Sequence, residues 1–78
     1  MTHAQLWNAI DKFAAANGMS CCALARNSGL DATTFNRSKR FYDNGQPRWV
    51  SMYCIAKMLS ATNKTLTDFA KFVDSVDK

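Results

Sequence analysis

The 78-residue chain is long enough for one small domain, and its 47% content of hydrophobic residues argues against disorder. It has no apolar run near the roughly 20 residues of a membrane span and no signal-peptide pattern, so we expect a cytoplasmic protein. The net charge is +4, and the segment 26–48 holds five basic residues against two acidic ones, a net +3. Such a local positive patch is what a phosphate-binding surface requires.

The amino-terminal segment predicts a helix that belongs to the core. Thr2 and Gln5 have the spacing of a capping box, and Gly18 supplies a helix end. Apolar residues recur between them at helical spacing: Leu6, Ile10, Phe13 and Ala14. Trp7 lies beside this stripe, and we interpret it as a core residue rather than a functional one.

The segment from Ser20 to Arg40 is the most informative part of the chain. Ser20 and Asp31 are good helix N-caps, and Gly29 between them favours the positive φ of a sharp helix exit. Two apolar pairs are spaced as hydrophobic staples at the two helix starts: Met19 with Leu24 and Leu30 with Phe35. The pattern predicts two short helices joined by a tight turn, which is a helix-turn-helix.

The outer face of the second predicted helix is polar or small. It carries Ala32, Thr33, Asn36 and Arg37, and Ser38, Lys39 and Arg40 follow directly. One interpretation is an ordinary solvated helix face, and the other is a face that meets the groove edge and phosphates of DNA. Capping, spacing and charge agree with each other here, so the sequence favours the DNA-facing interpretation.

The run from Gly29 to Arg40 resembles the DNA-binding head of phage-type bacterial repressors, within the lambda-repressor-like helix-turn-helix class. The segment Pro47-Arg48-Trp49 and the later Ser51 with Ile55-Ala56-Lys57 extend the likeness, which covers nearly the whole chain. Its most specific part is Thr-Thr-Phe-Asn-x-Ser-Lys-Arg. Many members of this class carry a LexA-like self-cleaving and dimerising domain after the head.

The resemblance implies an all-α fold. We expect residues 1–78 to form one compact five-helix, lambda-repressor-like domain. Its helices 2 and 3 would form the helix-turn-helix at about residues 20–38, and a long loop at about 38–50 would join helices 3 and 4. The chain is then either the head cut from a longer repressor or a short regulator of its own.

Resemblance and helix geometry together give the candidate DNA contacts. Arg37 suits guanine and Asn36 suits adenine, each through two parallel hydrogen bonds. Thr33 and Ala32 complete the base-reading set by contact with a thymine methyl group. The phosphate-binding candidates are Thr34, Ser38, Lys39, Arg40, Tyr42, Arg48 and the backbone at Cys21. Two positions depart from the class: Cys21 stands where Gln is common, and Ala32 is too short for a bidentate contact.

The segment after the predicted recognition helix is the least regular. Asp43-Asn44-Gly45 is a turn signal, and Pro47 keeps its neighbour out of a helix. Phe41 and Trp49 flank this turn, which forms either a short hairpin or a packed loop. One interpretation is that Arg40, Tyr42, Arg48 and Trp49 bind the DNA backbone beside the recognition helix, and the other is that Phe41 and Trp49 cover the core. We expect Phe41 and Trp49 to cover the core and Arg40 and Arg48 to bind phosphate.

Two further helices are predicted near the carboxyl terminus. Ser51 caps the first, whose apolar stripe is Ile55, Met58, Leu59 and Thr62, and Thr65 with Asp68 caps the second. The inward positions of the last helix are Leu66, Phe69, Ala70, Val73 and Val76. Phe72 lies off this stripe, either as an exposed residue of a monomer or as part of a homodimer contact.

Catalysis and metal binding are poorly supported. The three cysteines, Cys21, Cys22 and Cys54, are an odd number without metal-ligand spacing, so we expect no disulfide framework, no metal and no cofactor. Acidification near a helix start would permit a redox role for Cys21 or Cys22, but no other feature supports one. His3 is the single histidine, and no nucleophile is placed to form a catalytic triad with it. We therefore do not expect an enzyme.

The function expected from the sequence is specific binding of double-stranded DNA by a transcriptional repressor head, in association with the nucleoid. Residues 32–37 would form the recognition helix in the major groove. Pairing into a homodimer would use the last helix or a further carboxy-terminal domain. The alternative is a helix-turn-helix docking module for another protein, with only non-specific affinity for DNA.

Overall fold

The computed structural model describes residues 1–73. Within these residues four α-helices follow one another: α1 His3–Ala16, α2 Cys21–Asn27, α3 Met52–Thr62 and α4 Leu66–Ala70. A single 3-10 turn, Arg37–Lys39, lies between α2 and α3. Within the described part of the chain, β-pairing is limited to one isolated antiparallel bridge between Phe41 and Pro47. The compact all-α class is as predicted, but the five-helix, lambda-repressor-like arrangement is wrong.

Each of the four helices begins at a predicted cap. The side-chain oxygen of each cap residue accepts a hydrogen bond from an amide in the first turn; the caps are Thr2, Ser20, Ser51 and Thr65. Thr2 and Gln5 form the reciprocal capping box, and Thr65 and Asp68 form the second one. These caps are confirmed because they depend only on residues within one helical turn of each other.

The three longer helices share one kind of ending. A residue with positive φ follows each of them: Gly18 at 73°, Gly29 at 75° and Asn63 at 58°. The next amide then bonds back to a carbonyl near the helix end, in the pairs Met19 to Ala14, Leu30 to Ala25 and Lys64 to Leu59. This is the Schellman motif, which satisfies carbonyls that would otherwise lack a partner.

The core lies where α1 packs against α2 and α4, and α2 packs against α3. It is built from Leu6, Trp7, Ala9, Ile10, Phe13, Ala14, Leu24, Ala25, Phe35, Ile55, Met58 and Phe69. Phe13 is its centre and meets Phe69 and Phe72 edge to face, at ring-centroid distances of 5.6 and 5.8 Å. Burying one such ring contributes about 1.5–3 kcal/mol, so the apolar stripes alone give this small domain a substantial core.

The last helix differs from its prediction. It ends at Ala70, and its short length leaves Ala70 and Leu66 exposed, although both were expected to face inward. Phe69 and Val73 do pack against the core. Phe72 is half-buried on Phe13, so it is not the exposed residue that one interpretation assumed. Val76 was also predicted to face inward, but it lies outside the described residues.

The predicted recognition helix, residues 32–37, is not an α-helix. The chain makes one turn after Asp31, with bonds from Thr34 to Asp31 and from Asn36 to Thr33, each spanning three residues. Asn36 is then extended, at φ −69° and ψ 156°, and the 3-10 turn Arg37–Lys39 follows. The segment is therefore one helix followed by two tight turns. The helix-turn-helix predicted at residues 20–38 has its first helix, but its second helix is absent.

Side chains that compete with the backbone explain the missing helix. The carboxylate of Asp31 accepts bonds from both the amide and the hydroxyl of Thr33, and the Thr34 hydroxyl bonds to the Asp31 carbonyl. The carbonyl of Phe35 accepts a bond at 3.0 Å from the Arg40 guanidinium. The bond from the Thr33 amide is one that a helix N-cap makes, so Asp31 does cap the first turn. The Thr34 hydroxyl and the Arg40 guanidinium bond to backbone carbonyls that a longer helix would use, and two adjacent β-branched threonines lower helix propensity further.

Candidate nucleic-acid interface

Arg40 anchors the segment that follows the two turns. Its two terminal nitrogens meet the two carboxylate oxygens of Asp11 on α1 at 2.8 and 3.0 Å. Its guanidinium carbon also lies 4.8 Å from the centre of the Trp7 ring. The Arg40 side chain is only 9% exposed, so its charge is neutralised inside the domain. The prediction that Arg40 binds phosphate is therefore corrected, since both terminal nitrogens bond within the fold and its Nε, although it has no hydrogen-bond partner among the described residues, is buried.

His3 holds the other side of the same segment. Its Nε2 atom lies 2.7 Å from the Arg40 carbonyl oxygen, and the Trp7 indole N–H donates to the Arg48 carbonyl at 3.0 Å. We assign the imidazole proton to Nε2, because the two carbonyl oxygens that face this atom, those of Arg40 and Arg48, can only accept a hydrogen bond. The Arg48 amide bonds in turn to the Arg40 carbonyl at 2.9 Å. Two side chains of α1 thus close the base of the loop 41–49.

His3, Trp7 and Asp11 were not recognised as a group from the sequence. They are spaced four residues apart, so they form one stripe along α1 next to the apolar stripe of the core. The sequence signal for this stripe is a tryptophan with a polar residue four positions before it and another four positions after it. The stripe was missed because it is explained only by partners at Arg40 and Arg48, far along the chain.

The loop 41–49 resembles a short hairpin, which was one of the two predicted forms; the other was a packed loop. The Tyr42 amide bonds to the Gln46 carbonyl and the Gly45 amide bonds to the Tyr42 carbonyl, both at 2.9 Å. Gly45 has a φ of 87°, as the turn signal indicated. Phe41 and Trp49 do not cover the core, contrary to the prediction: each is more than half exposed, and each contacts the ring of His3.

A groove of about 210 Å³ opens between this loop and the start of α3. We call it the basic groove; its described lining is Trp7, Thr34, Lys39, Tyr42, Arg48, Trp49, Val50, Ser51 and Cys54. Lys39 and Arg48 supply two cationic groups, and neither has a hydrogen-bond or ion-pair partner through its side chain within residues 1–73. None of the nine lining residues is acidic. The groove is therefore suited to an anionic group.

The predicted phosphate-binding residues divide into two groups. The structure brings Thr34, Lys39, Tyr42 and Arg48 together in the basic groove. Ser38 is exposed on the 3-10 turn outside the groove lining. Cys21 is half-buried, and its thiol lies 3.8 Å from the side-chain oxygen of Asn36, so it supports the segment beside the groove.

The predicted base-reading residues lie beside the groove on the two turns. Arg37 is exposed and has no side-chain partner among the described residues. Thr33 is exposed, but its hydroxyl already donates its proton to Asp31 at 2.6 Å. It can therefore only accept a hydrogen bond from a ligand. Asn36 and Ala32 are half-buried. They lie on two successive turns, so they are not successive positions of one helical rod.

Asp31 is the main acidic group on this surface. Hydrogen bonds from the Thr33 hydroxyl and amide lower the pKa of the Asp31 carboxyl below its ordinary value, and the positive charge of Lys39 lowers it slightly further. The carboxylate is thus charged at neutral pH, and it accepts hydrogen bonds that stabilise the turn. Its closeness to Lys39 reduces the positive potential at one edge of the groove.

Comparison of the chain with protein-family models, with curated proteins and with solved structures found no match. None of the helices in residues 1–73 is long and apolar enough to cross a membrane.

Proposed function

We propose that the protein binds double-stranded DNA through the basic groove and the adjoining turns 32–39, and that it acts as a transcriptional regulator. The observation that carries the proposal is the placement of Arg37, Lys39 and Arg48. Within the described residues their side chains have no ion-pair partner, and Lys39 and Arg48 face one groove. Free cations on one surface supply the salt-dependent part of DNA affinity.

Base reading in this proposal differs from insertion of a helix. Arg37 projects from a 3-10 turn next to the groove, where its guanidinium has two parallel donors free for guanine. Because the turn is short, a single side chain can reach into the major groove while Lys39 contacts the backbone. Specificity then rests on few residues, and pairing of two copies would strengthen it.

The first test is selection of bound duplexes from a random DNA library with the full chain. A recovered motif supports sequence-specific binding, and two half-sites about one helical turn apart would indicate a homodimer. Loss of the Arg37 side chain in Arg37→Ala should cost about 1–3 kcal/mol and relax preference at one base position. An equal loss on every sequence would make Arg37 a phosphate contact instead.

Salt titration tests the groove itself. Lys39→Ala should weaken binding evenly across sequences and lower the slope of log affinity against log salt by about 1. Lys64→Ala is the matched control, since it removes the same charge beyond the carboxyl end of α3, whereas the groove lies at the amino end of that helix. Equal slopes for the two variants would remove the groove from the DNA contact.

A second candidate function is docking of another protein. It is favoured by the exposure of large apolar side chains: Phe41, Tyr42, Trp49, Met52 and Tyr53 are each more than half exposed. Exposed aromatic patches mark interaction sites. A docking module predicts that library selection recovers no motif and that Lys39→Ala and Lys64→Ala behave alike.

A further inference from the structure

The aromatic lining of the basic groove is not explained by contacts to duplex phosphates. Trp49 is 51% exposed and Tyr42 is 54% exposed, although the domain has an apolar core that can bury such side chains. Both line the groove together with Lys39 and Arg48. A phosphate ligand needs only the cations and hydroxyl groups, whereas the rings suit a ligand with an apolar face.

We infer that the basic groove binds one unpaired nucleotide of a nucleic-acid strand. Its base stacks on the exposed ring of Trp49, and its phosphate group lies between Lys39 and Arg48. Combining aromatic platforms with cations that follow the backbone is the general mode of single-strand binding. The inference deepens and rests on the proposed function, because it adds a frayed or single-stranded end to the duplex that the protein binds.

The geometry fits this ligand in three respects. The groove volume of about 210 Å³ exceeds what a phosphate group alone fills. The guanidinium carbon of Arg48 lies 5.6 Å from the centre of the Tyr42 ring, so a flat cation and a flat ring are already adjacent at its edge. Ser51 and Thr34 add hydroxyl oxygens, each of which retains a free lone pair for a base or sugar.

The charge of the groove favours a nucleic acid over a protein partner. Two cations and no acidic residue line it, so its ligand is anionic as well as aromatic. Trp49 also contacts α1, since its ring meets the His3 ring edge-on at 5.6 Å. A ring that already packs on a neighbour loses less entropy when a base stacks on it than a free ring would.

The experiment compares two labelled probes by fluorescence anisotropy with the full chain. The first is a blunt duplex of about two helical turns. The second is the same duplex with a single-stranded thymidine tail of about six nucleotides, within the ~4–16 that such sites span. We expect the tailed probe to bind more tightly than the blunt one by roughly 5- to 150-fold, the range for one stacked base.

Substitutions locate the stacking ring. Trp49→Ala should abolish the advantage of the tailed probe, and Trp49→Phe should restore much of it because a phenyl ring still stacks. Tyr53→Ala is the matched control: Tyr53 is an even more exposed aromatic residue, at 67%, and lies near the cation of Lys57, but it is not part of the groove lining. In this variant the advantage of the tail should persist.

The outcomes separate the inference from the proposed function. If the tail adds no affinity, if its advantage persists in Trp49→Ala, or if Trp49→Ala lowers the affinity for both probes by one factor, the inference is overturned and duplex binding stands. If only the tailed probe binds, the inference stands and the duplex proposal falls. If neither probe binds, both fall, and the exposed rings are assigned to a protein partner.

Discussion

Arg40 and Asp11 form a two-bonded ion pair that fixes the start of the loop 41–49 to helix α1. Both terminal nitrogens of the guanidinium meet the carboxylate, at 2.8 and 3.0 Å, while one of them also donates to the Phe35 carbonyl. A residue in the basic run of the sequence is thereby a structural one. The candidate interface depends on it indirectly, because it positions the groove that contains Lys39 and Arg48.

Removal of the carboxylate should expose this dependence. Asp11→Ala leaves the guanidinium of Arg40 nearly buried without its counter-charge, which costs about 3–5 kcal/mol in a fully buried pair. Because the Asp11 side chain is 35% exposed, we expect about 2–3 kcal/mol, measured by urea denaturation. Asp43→Ala is the control, since Asp43 is exposed and should change stability by less than about 0.5 kcal/mol. Equal decreases in the free energy of unfolding for the two variants would show that the Arg40–Asp11 pair stabilises the fold no more than an exposed carboxylate does.

The contacts of His3 predict an effect confined to the loop. His3→Ala removes the bond to the Arg40 carbonyl and the ring contacts to Phe41 and Trp49. Hydrogen exchange of the Arg48 amide, which closes the loop against the Arg40 carbonyl, should become faster. The expected local cost is about 1–2 kcal/mol. Asn8→Ala, an exposed change on the same helix, should leave that exchange rate unaltered.

The positive φ at two helix ends predicts changes of opposite sign. Gly29→Val should destabilise the domain by about 1–3 kcal/mol, since a β-branched residue at φ 75° is strained. A Cβ atom there would meet only Lys57 atoms at 3.8 Å, so the cost lies in the backbone rather than in a clash. Asn63→Gly relieves the same strain at φ 58° and should be neutral or slightly stabilising. Thermal unfolding of both variants tests the pair, and a destabilising Asn63→Gly would contradict it.

The turn after Asp31 predicts a pH-dependent contribution to stability. The folded pKa of Asp31 lies below its unfolded value, so its contribution is present above the ordinary carboxyl range and is lost as pH falls through the lowered pKa. Thr33→Val removes the hydroxyl bond that is the largest cause, and the pKa of Asp31 should rise towards its ordinary value. Titration followed by NMR measures this. The pKa of Asp68, lowered by its bonds from Thr65, is the internal control and should not move.

The parts of the fold that sequence predicted well depend on neighbours in the chain. The caps at Ser20 and Ser51 and the helix exit at Gly29 are confirmed, because each involves residues within about one turn. Asp31 looked equivalent to Ser20 as a cap. It nevertheless starts a tight turn, because the two threonines that follow it bond to its carboxylate and carbonyl instead of supporting a helix.

The parts that sequence missed depend on distant pairs. The basic run that Arg40 ends predicts a phosphate contact, and only the fold shows that Asp11 lies against it. The large aromatic side chains of Phe41 and Trp49 predict burial, yet they contact His3 at the surface. The grouping of Lys39, Arg48 and Trp49 in one groove likewise requires the loop to fold back on α1.

The contacts between α1 and the loop 41–49 predict that the loop unfolds before the helical core does. Every residue from 41 to 49 is exposed, so polar contacts to His3, Trp7 and Asp11 hold the loop, with little apolar burial of its own. Segments held in this way open at a lower free energy than the core. On warming, the groove should therefore be lost before the helices, and cleavage by a protease in the native state should begin within this loop. We therefore expect the candidate interface to lose its structure at a lower temperature than the helical core unfolds.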